Sequence, residues 1–174
     1  LRRLAYAIKN SSTILLPAWK QQLALLNQPT LMLRRDVKCR WNSTFDMLKR
    51  ALRLKTAIKS FCAPDHDLHP TDLEKYRLSK REWVIAEQLV EVLKDATLFF
   101  SRGVPNLATV IPVMDILDEH LTTTHLPGSK TSKGVPYDIA VRQAHGFAKQ
   151  VLNKYYALTD SSEAYRIAMG ESVA

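Results

Sequence analysis

The chain has 174 residues, of which 46% are hydrophobic and 24% charged, a balance typical of a folded globular protein and not of a disordered one. Five Gly and eight Pro are too few for a collagen-like or low-complexity chain, and no apolar run reaches the roughly 18 residues of a membrane span. Two cysteines are too few for a disulfide framework and favour a reducing compartment. Because the chain starts at Leu1 and shows no secretory signal, we expect an intracellular piece of a longer protein.

The positive charge is concentrated in the first third of the chain. The formal net charge is +8, yet residues 1–60 contain 13 Lys and Arg against 2 Asp and Glu, whereas the remainder contains 12 against 15. This asymmetry indicates a polyanionic partner, and nucleic acid before membrane because no hydrophobic anchor accompanies it. The alternative is a solvated helix face that keeps the protein soluble, and charge alone does not separate the two.

Apolar residues recur with helical spacing nearly throughout, which predicts an all-α fold, an irregular bundle of unequal helices around one core. A first helix covers about residues 1–10, and a second opens at Pro17. Residues 31–37 fit either an extended connection or a short strand. Ser43 and Asp46 fit a capping box, which predicts a helix from there to about Phe61.

The most periodic helix of the chain follows a second capping box, formed by Ser79 and Glu82, and is expected to stop near Gly103 and Pro105. A further helix places one apolar face along residues 110–121. A last long helix covers about residues 137–158, and its spacing predicts that five residues point inward: Ala140, Ala144, Phe147, Val151 and Tyr155.

These elements predict a single helical domain over residues 1–174. We divide it into a basic part (1–62), a loop (63–78), a helical pair (79–121), a flexible loop (122–136), C-terminal helices (137–169) and a divergent tail (170–174).

Motifs of the common enzyme classes are absent from the sequence: it has no glycine-rich phosphate loop, no GxSxG and no HExxH. Cys62, His66 and His69, with Cys39 as a fourth ligand, are a candidate zinc site, although incidental loop histidines explain the same residues.

An acidic cluster on one predicted helix face offers a second metal candidate. Asp115, Asp118 and Glu119 could hold Mg²⁺ in a metal-dependent nuclease, although a solvated acidic face explains the same spacing.

Residues 34–59 combine nine basic residues with Trp41 and Phe45. Basic side chains neutralise phosphates, and an exposed aromatic ring stacks on an unpaired base. A buried anchor at the start of the helix is the alternative for Trp41, whereas Trp19 and Trp83 lie on apolar faces and are predicted to be core residues. The candidate DNA-binding residues are Arg34, Arg35, Lys38, Arg40, Trp41, Asn42, Lys49, Arg50 and Arg53.

Around these residues the chain resembles the hAT superfamily of DNA transposases, which share an RWNST stretch that leads into a helix. Residues 36–48 read DVKCRWNSTFDML. Further matches follow in the order of fungal-type members, so that the resemblance covers about residues 1–169: LSKREW at 78–83, LVEVLK at 89–94, PNLATVIP at 105–112, NKYY at 153–156 and YRIAM at 165–169.

The resemblance implies a domain equivalent to the helical insertion domain of such a transposase. On that basis Trp41 stacks beside an unstacked base at a transposon end, and Arg40 contacts the backbone. Cys39 stands where the family usually has Thr, and we expect this difference to alter the contact next to Trp41.

The family cleaves DNA with three carboxylates that hold Mg²⁺ or Mn²⁺, and these belong to an RNase H-like core and a C-terminal segment that this chain does not contain. The resemblance therefore implies a truncated, non-enzymatic fragment without a cofactor of its own, located in the nucleus and binding DNA weakly and salt-sensitively. The tail at 170–174 departs from the family pattern, as expected of truncation, a frameshift or altered splicing of a decayed element.

A protein–protein interaction module without a nucleic-acid role remains the alternative function. In that case the apolar faces of residues 83–100 and 110–121 would be partly exposed and would dock a partner helix or a second copy of the chain.

Overall fold

The computed structural model describes residues 1–37, 41–64, 69, 72–100 and 110–168. Those residues form helices and turns without an extended strand, which confirms the predicted all-α class. The helices are α1 Arg2–Asn10, α2 Leu15–Leu25, α3 Trp41–Arg53, α4 Lys55–Phe61, α5 Lys80–Phe100, α6 Val110–His125, α7 Ile139–Asp160 and α8 Glu163–Ala168, with a 3₁₀ turn at Glu74–Tyr76. Contacts group the chain into two compact units, Leu1–Leu93 and Lys94–Ala174, which are described separately.

The core of the first unit is built around two aromatic residues. Trp19 of α2 and Phe61 of α4 are both fully buried, and their rings meet edge to face with centroids 5.2 Å apart. Trp83 of α5 is also buried, so both predicted core tryptophans are confirmed. Aliphatic side chains from α1, α2, α4 and the junction between α3 and α4 complete the cluster: Leu4, Ile8, Leu23, Leu54 and Ile58.

The helix predicted from Ser43 to about Phe61 is two helices, because the chain breaks at Leu54. The predicted start is also wrong: α3 begins at Trp41, which places Ser43 inside the first turn. The Ser43 hydroxyl bonds the preceding segment, accepting from the Val37 N–H at 2.7 Å and donating to the Val37 carbonyl at 3.0 Å. The Ser43 hydroxyl, which was predicted to cap the helix, therefore bonds the backbone of Val37 in the preceding segment instead.

The second capping box is formed as predicted. The Glu82 carboxylate accepts from the Ser79 backbone N–H at 2.7 Å, and the Ser79 hydroxyl accepts from the Glu82 N–H at 3.2 Å. The predicted stop at Gly103 and Pro105 lies outside the described residues. At the other end of the first unit, α2 begins at Leu15, two residues before the predicted start at Pro17.

In the second unit α7 packs on α6 through polar contacts. Lys149 Nζ lies 2.9 Å from Asp118 Oδ1, and the Tyr156 hydroxyl donates to Asp115 at 2.5 Å. The face of α7 that contacts α6 includes the buried Val141 and His145. The predicted inward face is wrong, because all five of its residues are exposed: Ala140, Ala144, Phe147, Val151 and Tyr155.

The connection between α6 and α7 is shorter than the predicted loop at 122–136, because α6 continues to His125. The remaining residues form a hydrogen-bonded turn in which the buried Thr131 donates its backbone N–H to the Val135 carbonyl at 2.8 Å. Gly134 adopts a positive φ of 75°, a conformation that favours glycine, where the turn reverses direction.

Candidate nucleic-acid interface

Four of the nine predicted DNA-binding residues line one cleft in the first unit. Arg34 contributes from the segment before α3, while Lys49, Arg50 and Arg53 contribute from α3 itself. Asp46 is the fifth lining residue, and the cleft has a volume of about 220 Å³. We call this feature the α3 cleft. These four basic residues therefore converge on one surface, although they come from two different segments of the chain.

The amphipathic character of α3 explains why these side chains point outward. Met47, Leu48 and Ala51 are buried, so the helix turns the opposite positions toward solvent. Lys49 and Arg53 are exposed and four residues apart, which places them on the same side of the helix. Within the described part of the chain neither Arg50 nor Arg53 forms an ion pair, so their charges are available to a ligand.

Arg34 reaches the cleft because the segment that carries it is anchored on both sides. The Trp19 indole N–H donates to the Leu31 carbonyl at 3.1 Å, which fixes the segment on α2. Asp36 is buried and ion-paired with Arg2 of α1, and Thr44 of α3 donates to the same carboxylate at 3.5 Å. The hydrogen bond from Arg2 holds the pKa of Asp36 below its usual value, so the carboxylate stays charged.

The remaining predicted residues have separate positions. Arg35 is exposed and its guanidinium lies 5.9 Å from the centroid of the Tyr6 ring, a cation–π contact outside the cleft. Asn42 is half-buried in the first turn of α3. Lys38 and Arg40 lie outside the described residues, as does the side chain of Trp41, so the stacking role of Trp41 stays a prediction.

A family comparison matches the same part of the chain. The model of the ZBED1 RNase-like helical domain matches residues 3–92, just over half of the chain. The chain belongs to this family. The matched residues coincide with the first compact unit, which contains the α3 cleft, and they make that unit a hAT-like helical domain.

One curated relative adds a second finding. A protein of Talaromyces stipitatus named "Putative transcriptional regulator tpeD" is 28% identical over 176 residues, covering the whole of this chain. This chain spans 17% of that relative's length. No solved structure matches the chain with significance.

Charge follows the division between the hAT-like helical domain and the second unit. The first unit contains 17 Lys and Arg against 9 Asp and Glu, whereas the second contains 8 of each. The whole surplus of +8 therefore lies in the unit that the family model matches. None of the described helices combines the length and apolar character that crossing a membrane requires.

The predicted zinc residues are only partly described. Cys62 is buried, and burial raises the pKa of its thiol to about 11. His69 is buried against Phe61, with its Nε2 atom 3.2 Å from the Phe61 carbonyl. Cys39 and His66 lie outside the described residues, within which no group of three or more metal-ligating side chains occurs.

The acidic cluster on α6 is engaged by α7. Asp118 is paired with Lys149 and Asp115 accepts from Tyr156, so two of its three carboxylates hold the helix pair together. The spacing of the acidic residues did not predict this role, nor did it predict the ion pair of Asp46 with Arg34. The spacing of Asp46 from Lys49 and Arg50 could have indicated that Asp46 shares their helix face.

Proposed function

We propose that this chain is a DNA-binding helical domain of a hAT-like protein and that it binds DNA phosphates in the α3 cleft. The observation that carries the proposal is the convergence of Arg34, Lys49, Arg50 and Arg53 on one surface. Guanidinium and ammonium groups bind phosphate oxygens, and releasing condensed counterions drives such binding. The surplus positive charge of the first unit adds long-range attraction.

The finer roles follow from the RWNST resemblance. Trp41 stacks on an unpaired base at a DNA end and Arg40 contacts the adjacent backbone; in the sequence Trp41 precedes the first cleft cation of α3, Lys49, by eight residues. In this proposal the chain is not an enzyme and holds no metal of its own, since metal-dependent cleavage belongs to the RNase H-like core of the parent family. The relative's name as a transcriptional regulator supports a DNA partner and a nuclear location.

Binding in rising salt tests the phosphate contacts. A fluorescently labelled single strand and a hairpin of the same sequence are titrated with the full chain between about 50 and 200 mM salt. Four phosphate contacts predict a slope of log affinity against log salt of about −3 for the single strand. Arg50→Ala with Arg53→Ala should reduce the slope by about 1.4 in magnitude.

The matched control removes two cations elsewhere in the first unit. Lys9→Ala with Lys20→Ala changes the net charge equally, and both lysines are exposed and lie outside the cleft. If the two double variants weaken DNA binding to the same degree, net charge alone acts and the cleft has no special role.

Trp41 requires a different readout, because stacking does not release counterions. Trp41→Ala should weaken binding to the single strand by about 1–3 kcal/mol and leave the salt slope unchanged. Trp41→Phe should retain most of the affinity. Equal affinities of all three proteins would remove Trp41 from the interface.

A second candidate function, self-association, is favoured by the exposed face of α7. Phe147, Val151, Tyr155 and Leu158 are between 56% and 68% exposed and recur at helical spacing. Apolar stripes of this kind pack against other helices. Among the positions that border the stripe on α7, Lys154 carries the single charge, so two copies would pair with little repulsion.

Sedimentation over a range of concentrations tests this second function. Phe147→Ala with Val151→Ala should shift the chain toward monomer, while DNA binding should persist because the α3 cleft is intact. A monomeric parent chain at all concentrations would leave the stripe without a self-association role.

A further inference from the structure

The α3 cleft contains its own anion. Asp46 is the one carboxylate among the five residues that line the cleft, and its Oδ2 atom lies 2.6 Å from Arg34 Nη1. Both side chains are about half exposed, at 47% for Asp46 and 52% for Arg34, so solvent and ions reach the pair. Asp46 lies three and four residues before Lys49 and Arg50, which places it on their face of α3.

A carboxylate and a phosphate make the same kind of contact with a guanidinium group. Both a carboxylate and a backbone phosphate present two oxygens that accept from the planar N–H fork, so a phosphate can take the place of a carboxylate there. In the cleft four cations face one carboxylate. A single negative charge leaves most of that positive charge unbalanced.

We propose that the α3 cleft binds phosphate groups, one of them at Arg34, and that Asp46 is the internal competitor that Arg34 exchanges for a phosphate oxygen. The proposal deepens the proposed function, since it rests on phosphate of nucleic acid as the natural ligand. The volume of about 220 Å³ admits a phosphate group between Arg34 and the α3 cations. Asp46 then lowers the affinity for phosphate and keeps Arg34 in place when the cleft is empty.

Replacing Asp46 with its uncharged isostere should therefore strengthen binding. An exposed ion pair contributes little to folding, so Asp46→Asn leaves the fold intact. The change removes the competitor for Arg34 and the repulsion between the carboxylate and the incoming phosphate. We expect affinity to rise by about threefold to tenfold at low salt, and the gain to shrink as salt screens the charges.

Glu87→Gln is the matched control variant. Glu87 forms an ion pair with Lys55 at 2.8 Å in the same unit and is 51% exposed, so the control removes the same charge and breaks a comparable pair outside the cleft. Both variants gain equally from the change in net charge. Only Asp46→Asn should show the additional gain.

The experiment uses two probes with the full chain. Inorganic phosphate is titrated while the guanidinium Nε–H signals are followed by NMR, with the Arg34 signal assigned from Arg34→Lys. Single-stranded DNA is titrated by fluorescence anisotropy. Asp46→Asn should bind both probes more tightly than Glu87→Gln, and the Arg34 signal should shift at lower phosphate concentration. Thermal unfolding of both variants checks that each is folded.

The outcomes separate this inference from the proposed function. If DNA binds and Asp46→Asn gains no more than Glu87→Gln, Asp46 is not a competitor and the inference is overturned while the proposed function stands. If inorganic phosphate binds with the predicted order and DNA does not bind, the cleft is an anion site and the proposed function fails. Absence of any Arg34 shift with phosphate overturns the inference directly.

Discussion

Arg2 and Asp36 form a bidentate ion pair in which the guanidinium Nε and Nη2 atoms each donate to one carboxylate oxygen. The pair joins α1 to the segment that carries Arg34, and Asp36 is buried although Arg2 is more than half exposed. A buried carboxylate depends on its partner, because an unpaired charge away from water is unfavourable. The ion pair is therefore one of the two anchors that position the basic segment, together with the Trp19–Leu31 hydrogen bond.

This arrangement predicts a pH dependence of folding stability. The Arg2 hydrogen bond lowers the pKa of Asp36 below the unfolded value of about 3.8, so the stabilisation is complete above that value and is lost as pH falls toward the folded pKa. Urea unfolding of the parent chain and Asp36→Asn should differ at pH 7, and the difference should shrink as the pH falls below about 3.8. A difference that is constant with pH would contradict the lowered pKa.

Replacing each of two phenylalanines with alanine should change the free energy of unfolding by very different amounts. Phe61 is fully buried against Trp19, so Phe61→Ala should lower the free energy of unfolding by about 3–5 kcal/mol. Phe147 is 68% exposed on α7, so Phe147→Ala should change it by less than about 0.5 kcal/mol. Chemical denaturation at a fixed protein concentration measures both. Comparable losses would mean that the exposed face of α7 is covered in solution.

The capping box of α5 predicts a loss of about 1 kcal/mol in Ser79→Ala. Removing the hydroxyl leaves the Glu82 N–H without its acceptor, and the Glu82 carboxylate alone cannot replace it. Because the backbone hydrogen bond at Ser79 also lowers the pKa of Glu82, the pKa of Glu82 measured by NMR should rise if the first turn frays in the variant. Ser79→Thr keeps the hydroxyl and should be close to the parent.

The burial of His145 predicts that the second unit becomes less stable to unfolding as the pH falls. Burial lowers the pKa of His145 below its usual value of 6.5, and charge on the nearby His120 lowers it further, while a Thr124 backbone contact opposes both. The unfolded chain therefore takes up a proton first, and stability falls as pH decreases through about 6.5 toward the folded pKa. NMR titration should place the midpoint of His145 below 6.5. A midpoint at or above 6.5 would contradict this burial effect.

The sequence predicted most helices because their apolar spacing and the Ser79 box are local properties of the chain. The sequence predicted the wrong inward face for α7, because the residues that contact α6 are largely polar. Lys149 binds Asp118, and Tyr156 binds Asp115. On α7 the apolar stripe is therefore an exposed surface and not part of the core. Periodicity reports that a helix has two faces, but it does not say which face is covered.

The candidate site was predictable in composition and not in arrangement. The cations of α3 share a face through helix geometry alone, so Lys49 and Arg53 could be grouped from spacing. The position of Arg34 depends on Trp19 and Asp36, which anchor its segment to α2 and α1 through contacts distant in sequence. Asp46 was predicted as part of a capping box, and its ion pair with Arg34 depends on the same tertiary contacts.

The break at Leu54 limits the length of the α3 surface that can contact a ligand. The Leu54 N–H is shared between the carbonyls of Arg50 at 3.1 Å and Ala51 at 3.2 Å, and α3 ends one residue earlier. Thirteen helical residues measure about 20 Å, so this surface is short compared with a polymer that extends indefinitely. Such a footprint suits the recognition of one discrete point, such as a terminus or junction, over continuous coating of a filament.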